Sequence, residues 1–289
     1  MTGSGKVREP RSLVLPAGIY YAVFFLAPLA IIVAYAFADR EGFFDITFGF
    51  YGHNFEKLWD PLYLNIYKNT IFLAAAGTVG CLLVGYPFAY WLATRVRDRK
   101  TLLLLLVIVP FWTSILIRTY AWSILLSPQG PLSNALQAMN VISQPLDVLF
   151  STRAVLIGVV YDYLPLMIFP LYVSIERMDR GLVEASRDLG AGRWKTLWRV
   201  TIPLTLPGIL TGCLLVFVPM TGEYVVPTIL GGAKEPFIGT AVADQVLSAI
   251  NYPFGAAMAV GLVGFLLVVI FLYLRSLGRQ AESNLGAAL

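Results

Sequence analysis

Six apolar runs, each closed off by charged or turn-forming residues, divide this chain. They fall near residues 13–38, 67–93, 102–126, 153–175, 204–226 and 254–274. An α-helix rises about 1.5 Å per residue, so each run is long enough to cross a hydrocarbon core of roughly 30 Å. The pattern predicts an all-α, polytopic membrane protein with six transmembrane helices. Several runs contain proline: Pro87, Pro110, Pro165, Pro170 and Pro219. A spanning helix tolerates proline where neighbouring helices or water satisfy the freed carbonyl. These prolines either kink helices around a central cavity or bend them to fit their neighbours.

Ala36-Phe37-Ala38 has the form of a signal-peptidase site, but the apolar run before it exceeds twenty residues. A signal core is only about 7–15 residues long. The run is therefore expected to be a retained first helix. One transmembrane domain, 1–289, is expected, with a tail at 1–12, a six-helix core at 13–277 that includes a polar loop at 176–203, and a second tail at 278–289.

Composition agrees with lipid as the solvent. The 289 residues are 58% hydrophobic and 13% charged, with a mean hydropathy of +0.73. Soluble domains carry about 25% charge. The two cysteines, Cys81 and Cys213, lie inside apolar runs and read as reduced packing residues, not as a disulfide or metal site.

Charge placement matters more than net charge. With the N-terminus in the cytoplasm, fifteen basic residues fall on the inner side against five on the outer, and Arg118 lies within a span. This positive-inside bias predicts that both termini are cytoplasmic. In the second span Gly77, Cys81, Gly85, Ala89 and Ala93 recur every four positions, a small-residue face suited to close helix packing. Outside, residues 39–66 carry aromatics and acids, and 127–150 contain a short helical pattern around Leu132–Met139. Such loops serve either as connectors or as surfaces for a soluble partner.

The loop at 176–203 is distinct. Leu182, Val183 and Leu189 stand among charges, which predicts a short amphipathic helix ending at Gly190. A second short helix begins near Arg193, and Pro203 marks the start of the fifth span. Glu184-Ala185-Ser186, Gly190 six positions after Glu184, and Val200-x-Ile202-Pro203 resemble the EAA loop of binding-protein-dependent ABC importer permeases. The family pattern has Ala, Ile and Leu where this chain has Ser186, Val200 and Ile202; the spacing is intact. The resemblance implies a type I ABC importer permease fold in which this loop docks on an ATPase subunit. Glu184, Ala185, Ser186, Asp188, Leu189, Gly190 and Arg193 are then the ATPase-coupling residues. A rigid protruding helix suits that role, because a flexible loop would dissipate the ATPase's motion.

Three further stretches are similar to the first permease subunit of spermidine/putrescine-type importers. They are Pro110-Phe-Trp-Thr-Ser-Ile-Leu-Ile-Arg118-Thr-Tyr-Ala-Trp122, Tyr161-Asp-Tyr-Leu-Pro165-Leu-Met-Ile-Phe-Pro-Leu-Tyr172 and Gly222-Glu-Tyr-Val-Val-Pro227-Thr-Ile-Leu-Gly-Gly232. The resemblance implies import of a polyamine such as spermidine or putrescine across the bacterial inner membrane. An opine or amino-acid derivative is the alternative substrate, and a stand-alone secondary transporter is the alternative mechanism. The implied partners are a second permease, two ATPase subunits and an extracytoplasmic solute-binding protein.

Ionisable residues inside spans are costly and point to function. Arg118 and Glu223 are expected roughly 25–29 Å above the cytoplasmic ends of their spans, and Asp162 roughly 15 Å below the outer end of its own. Arg118 and Glu223 either pair with each other or face a substrate. Asp162 has no basic residue at its expected depth, so a water-lined cavity or a cationic ligand is expected beside it. Trp112, Tyr161 and Tyr224 complete the expected substrate path, with Tyr163 and Trp122 close by in sequence, since aromatic faces attract ammonium groups. Membrane interfaces also collect aromatics for lipid reasons. The chain lacks a phosphate-binding Gly-x-x-x-x-Gly-Lys-Ser/Thr motif, and Gly190-Ala-Gly192-Arg-Trp-Lys-Thr196 has the wrong spacing. ATP and Mg are therefore expected on the separate ATPases, with no catalytic site, metal or cofactor in this chain.

Overall fold

A computed structural model describes residue 16 and residues 18–42, 45–232 and 234–286, with side chains to residue 275. The tail expected at 1–12, with Lys6, Arg8 and Arg11, lies outside the described residues. So do 287–289 of the second tail.

The helices follow the apolar runs, with two departures. The first span is α1, Gly18–Ala36. A small antiparallel hairpin follows, pairing β1 (Asp39–Arg40) with β2 (Ile46–Thr47), and then a short helix α2 (His53–Lys57). The second span, α3 (Pro61–Arg95), begins where the Asp60 carboxylate accepts from the Leu62 amide at 2.9 Å and Pro61 needs no donor partner. The fourth span, α7 (Thr152–Glu176), runs straight through Pro165 and Pro170. The sixth is α12, Tyr252–Gly286.

The third run departs most. Instead of one helix over 102–126 it forms Lys100–Trp112 (α4) and Ile115–Leu126 (α5), extended by Pro131–Ala138 (α6) and bent by 92° at the break. The turn after Pro110 tightens, and Thr113 and Ser114 swing to extended backbone with ψ of 155° and 134°. The Pro110 carbonyl thereby loses its helical partner. It accepts instead from the Thr113 amide at 3.2 Å, the Thr113 hydroxyl at 2.7 Å and Arg118 Nη1 at 2.9 Å. Among the five prolines singled out, only Pro110 coincides with a break.

The fifth span departs at both ends. The helix predicted near Arg193 and the span itself are one continuous element, α9 (Arg193–Thr221), with a wider π turn at Leu197–Thr201. Pro203 therefore interrupts nothing. The run predicted to reach 226 stops at Thr221, and Val225–Gly231 forms a separate short helix, α10. Between α7 and α9 lies α8, Arg180–Asp188, as the loop pattern predicts. Beyond α10, α11 (Ile238–Ala243) leads back to α12.

α3, α7 and α9 pack together as the core, around Leu73, Cys81, Val159, Met167, Leu171, Val216 and Met220. The small-residue face of α3 is the contact surface: Gly77 sits under Met220 and Val159, and Gly85 under Met167. A second cluster, Ile66, Ile238, Phe254 and Met258, joins α3, α11 and α12. Away from these contacts the helices turn large apolar side chains outward, among them Phe72, Leu83, Leu106 and Leu267. A water-soluble surface would not carry so continuous an apolar coat.

Candidate functional site

Two constellations hold most of the residues singled out by sequence. The first is the polar turn between α7 and α9. Asp179 starts α8 by accepting from the Gly181 amide at 2.8 Å. Gly190 ends it with φ of +80°. The Gly190 amide donates to the Arg187 carbonyl at 2.9 Å and the Ala191 amide to the Ser186 carbonyl at 3.1 Å, the paired pattern of a Schellman stop. Glu184, Ala185, Asp188 and Arg193 are exposed, and Leu189 projects at 89% exposure. Val183 is buried toward the bundle.

The turn is tied to α3 and α9, and Lys100 at the start of α4 joins α3 to α7 beside it. Arg180 Nη2 donates to the Ala93 carbonyl at 3.0 Å, at the C-terminal end of α3. Lys100 reaches the same carbonyl at 3.4 Å and pairs with Glu176 of α7 at 2.7 Å. Cations at a helix C-terminus meet its partial negative charge. Ser186, where the family pattern has Ala, shares a 3.0 Å hydrogen bond with Thr196 at the foot of α9. The departure from the pattern thus adds a link between the two halves of the loop.

The second constellation is a buried cluster between α5, α7 and α10. Arg118 Nε lies 3.0 Å from Asp162 Oδ1, with only 11% and 3% of the two side chains exposed. The contact is close but not aligned as a hydrogen bond, and neither Asp162 oxygen has a hydrogen-bond donor among the described residues. The Arg118 guanidinium also sits over the Phe111 ring at 5.2 Å. Glu223 is buried beside the same helix. Its Oε1 accepts from the Val225 and Val226 amides at 2.8 and 3.3 Å, capping α10, and its Oε2 accepts from the Tyr163 hydroxyl at 2.7 Å.

This arrangement corrects two expectations. Asp162 does have a basic partner in this chain, and Arg118 pairs with Asp162, not with Glu223. The expected depths assumed straight spans. The break at Pro110–Ser114 redirects α5, so Arg118 approaches α7 instead of continuing along the path of α4. Glu223, in turn, is taken up by the start of α10, because the fifth span ends early. The aromatic path is also only partly assembled. Tyr161 packs edge-on against Trp122 at 5.3 Å, at the margin of the cluster. Trp112 is 78% exposed and Tyr224 half-exposed, and among the described residues the side chain of neither hydrogen-bonds a buried carboxylate. Phe111 is the contributor sequence reasoning missed, and Tyr163, expected only as a neighbouring aromatic, acts through its hydroxyl on Glu223. The Thr113-Ser114 pair after Pro110, a helix-start signal, was the available clue to the break that brings Phe111 in.

Comparison with known proteins places these features in context. Residues 85–280 match the family described as binding-protein-dependent transport system inner membrane component. The chain is 40% identical to the spermidine/putrescine transport system permease protein PotB of Haemophilus influenzae, over 90% of this chain and 92% of that one. It is 41% identical to the PotB protein of Escherichia coli, over 91% and 97%. Its fold is similar to a chain of a bacterial alginate ABC transporter, solved in complex with a periplasmic protein carrying an alginate pentasaccharide. That match has a TM-score of 0.69 at 18% identity and covers 91% of both chains.

Proposed function

The chain belongs to the family of binding-protein-dependent transport system inner membrane components, and on that premise we propose that it carries a polyamine, spermidine or putrescine, into the cytoplasm. It is a transport subunit of the inner membrane and not an enzyme; ATP hydrolysis lies on separate subunits. In this reading it pairs with a second, related permease. Two ATPases dock under α8, and an extracytoplasmic binding protein delivers the substrate at the opposite face. Both termini are cytoplasmic, in keeping with the charge bias. ATPase closure pulls α8, and the Arg180 and Ser186 links carry that displacement into α3 and α9, while Lys100 of α4 bridges α3 to α7.

The observation that carries the substrate assignment, beside the likeness to the two spermidine/putrescine permeases, is the charge of the buried cluster. The cluster holds two carboxylates, Asp162 and Glu223, and one guanidinium, Arg118, which pairs with Asp162 alone. The cluster is therefore one positive charge short, and the Asp162 oxygens lack hydrogen-bond donors. A buried carboxylate in this state is stabilised by an incoming cation with N–H donors, which an ammonium group supplies. Asp162 attracts the cationic end, Glu223 and Tyr163 bound the site, and Tyr161 with Trp122 lines its margin. Trp112 and Tyr224 belong further along the path in this reading.

Reconstitution with the two ATPases, the second permease and the binding protein in liposomes tests this. ATP-dependent uptake of radiolabelled spermidine or putrescine is the expected result. Uptake of an opine or amino-acid derivative without polyamine uptake would overturn the substrate assignment. Uptake driven by an ion gradient through this chain alone would overturn the mechanism.

A further inference from the structure

A cleft of about 890 Å³ opens between the end of α3, α8 and the foot of α9. Four arginines line it: Arg95, Arg180, Arg187 and Arg193, with Glu184 as the one acidic side chain among the lining residues. Arg180 is partly engaged by the Ala93 carbonyl. The side chains of Arg95, Arg187 and Arg193 make no hydrogen bond or ion pair with the described residues. The remaining wall is different in character. Tyr86, Pro87 and Tyr90 of α3 extend it upward from Arg95, by roughly 13 Å at the helical rise. That is close to half of a hydrocarbon core of roughly 30 Å. The cleft is thus aromatic within one leaflet and strongly basic where that leaflet's headgroups lie.

We propose that this cleft binds the phosphate-bearing headgroup of an anionic phospholipid of the inner leaflet, with the acyl chains against Tyr86 and Tyr90. Guanidinium groups form paired hydrogen bonds to phosphate oxygens and keep their charge at every accessible pH. Basic pockets between spanning helices on the cytoplasmic side suit anionic headgroups for this reason. The excess of positive charge also argues against the cleft as a route for the substrate, because four arginines repel a polycation. A lipid held here touches α3, α8 and α9 together, so its occupancy stiffens the turn that meets the ATPase. The proposal rests on the functional reading above only in placing this turn on the cytoplasmic side.

The test uses the purified permease–ATPase complex. Phosphatidylglycerol and phosphatidylcholine are titrated separately and bound lipid is counted by native mass spectrometry. The wild type is expected to bind one phosphatidylglycerol in preference to phosphatidylcholine. Arg95→Gln, outside α8, should weaken that binding about fivefold, with the melting temperature and the ATPase content of the complex unchanged. Arg95→Lys should retain most of it. Equal phosphatidylglycerol binding by wild type and the glutamine variant would overturn the proposal. So would loss of the ATPase from that variant, which would assign Arg95 to docking. Displacement of the lipid by millimolar inorganic phosphate would overturn the lipid as ligand in favour of a free anion. Failed polyamine uptake with lipid binding intact would reject the substrate assignment and leave this one standing.

Discussion

The Arg118–Asp162 contact makes a quantitative prediction. At 3.0 Å and an effective dielectric of about 20, the attraction is roughly 5 kcal/mol before desolvation is charged against it. Removing one partner of a buried pair typically costs about 3–5 kcal/mol, because the other charge is left without compensation. The two partners are not equivalent here. Asp162 has no hydrogen bond to fall back on, whereas Arg118 keeps the Pro110 carbonyl and the Phe111 face. Arg118→Gln should therefore lie at the upper end of that range. Asp162→Asn should cost about 1–3 kcal/mol, toward the cost of one unsatisfied polar group. The neutral double variant should recover at least about 1 kcal/mol of the summed losses. Thermal melts of the reconstituted complex, run beside spermidine uptake, would read this out. The expected order of stability is wild type, then the double variant or Asp162→Asn, then Arg118→Gln. Strict additivity, or an Arg118→Gln melt equal to wild type, would refute the coupling. Asp162→Asn should also slow uptake more than its melt explains; full uptake would remove Asp162 from the substrate path.

Three further outcomes follow from local geometry. Gly190 sits at φ +80° and a Cβ there would meet nothing within 4 Å, so Gly190→Val loses chiefly through backbone strain of about 1–2 kcal/mol. ATP hydrolysis should then persist while uptake per ATP falls, which paired hydrolysis and uptake assays would show. Glu184→Lys reverses an exposed charge on α8 and should weaken ATPase retention on purification without lowering the melting temperature of the permease itself. Normal retention with wild-type uptake would remove Glu184 from the docking surface. A Cβ at Gly208 would stand 2.7 Å from the Pro170 carbonyl and collide with Ser174, so Gly208→Ala should force α7 and α9 apart. A loss of about 1–3 kcal/mol is expected, visible as a lower melting temperature; an unchanged melt would mean that the two helices do not approach so closely.

Periodicity and composition were sufficient for the membrane class, the spans as a set, the packing face on α3 and the short α8 helix. These features are local: apolar length, four-residue spacing and a glycine stop act through the residues that carry them. The EAA-like spacing is equally local, so the turn that holds α8 and its Gly190 stop was legible in the order of its residues alone. The polar cluster was legible only as a membership roll. Arg118, Asp162 and Glu223 stood out because ionisable groups are costly in lipid, but which carboxylate Arg118 meets depends on where α5 points. That direction is set at Pro110–Ser114, where a missing N–H and two extended residues turn the chain by 92°, and the depth of a residue in a straight span no longer applies. The same holds for Glu223, whose carboxylate is taken by two amides that exist as a pair only because α9 stops at Thr221 and α10 begins. Sequence by itself determined which residues had to leave lipid. Tertiary structure alone decided which of them met, because ion pairing depends on the relative placement of helices more than forty residues apart, and no local pattern encodes that distance.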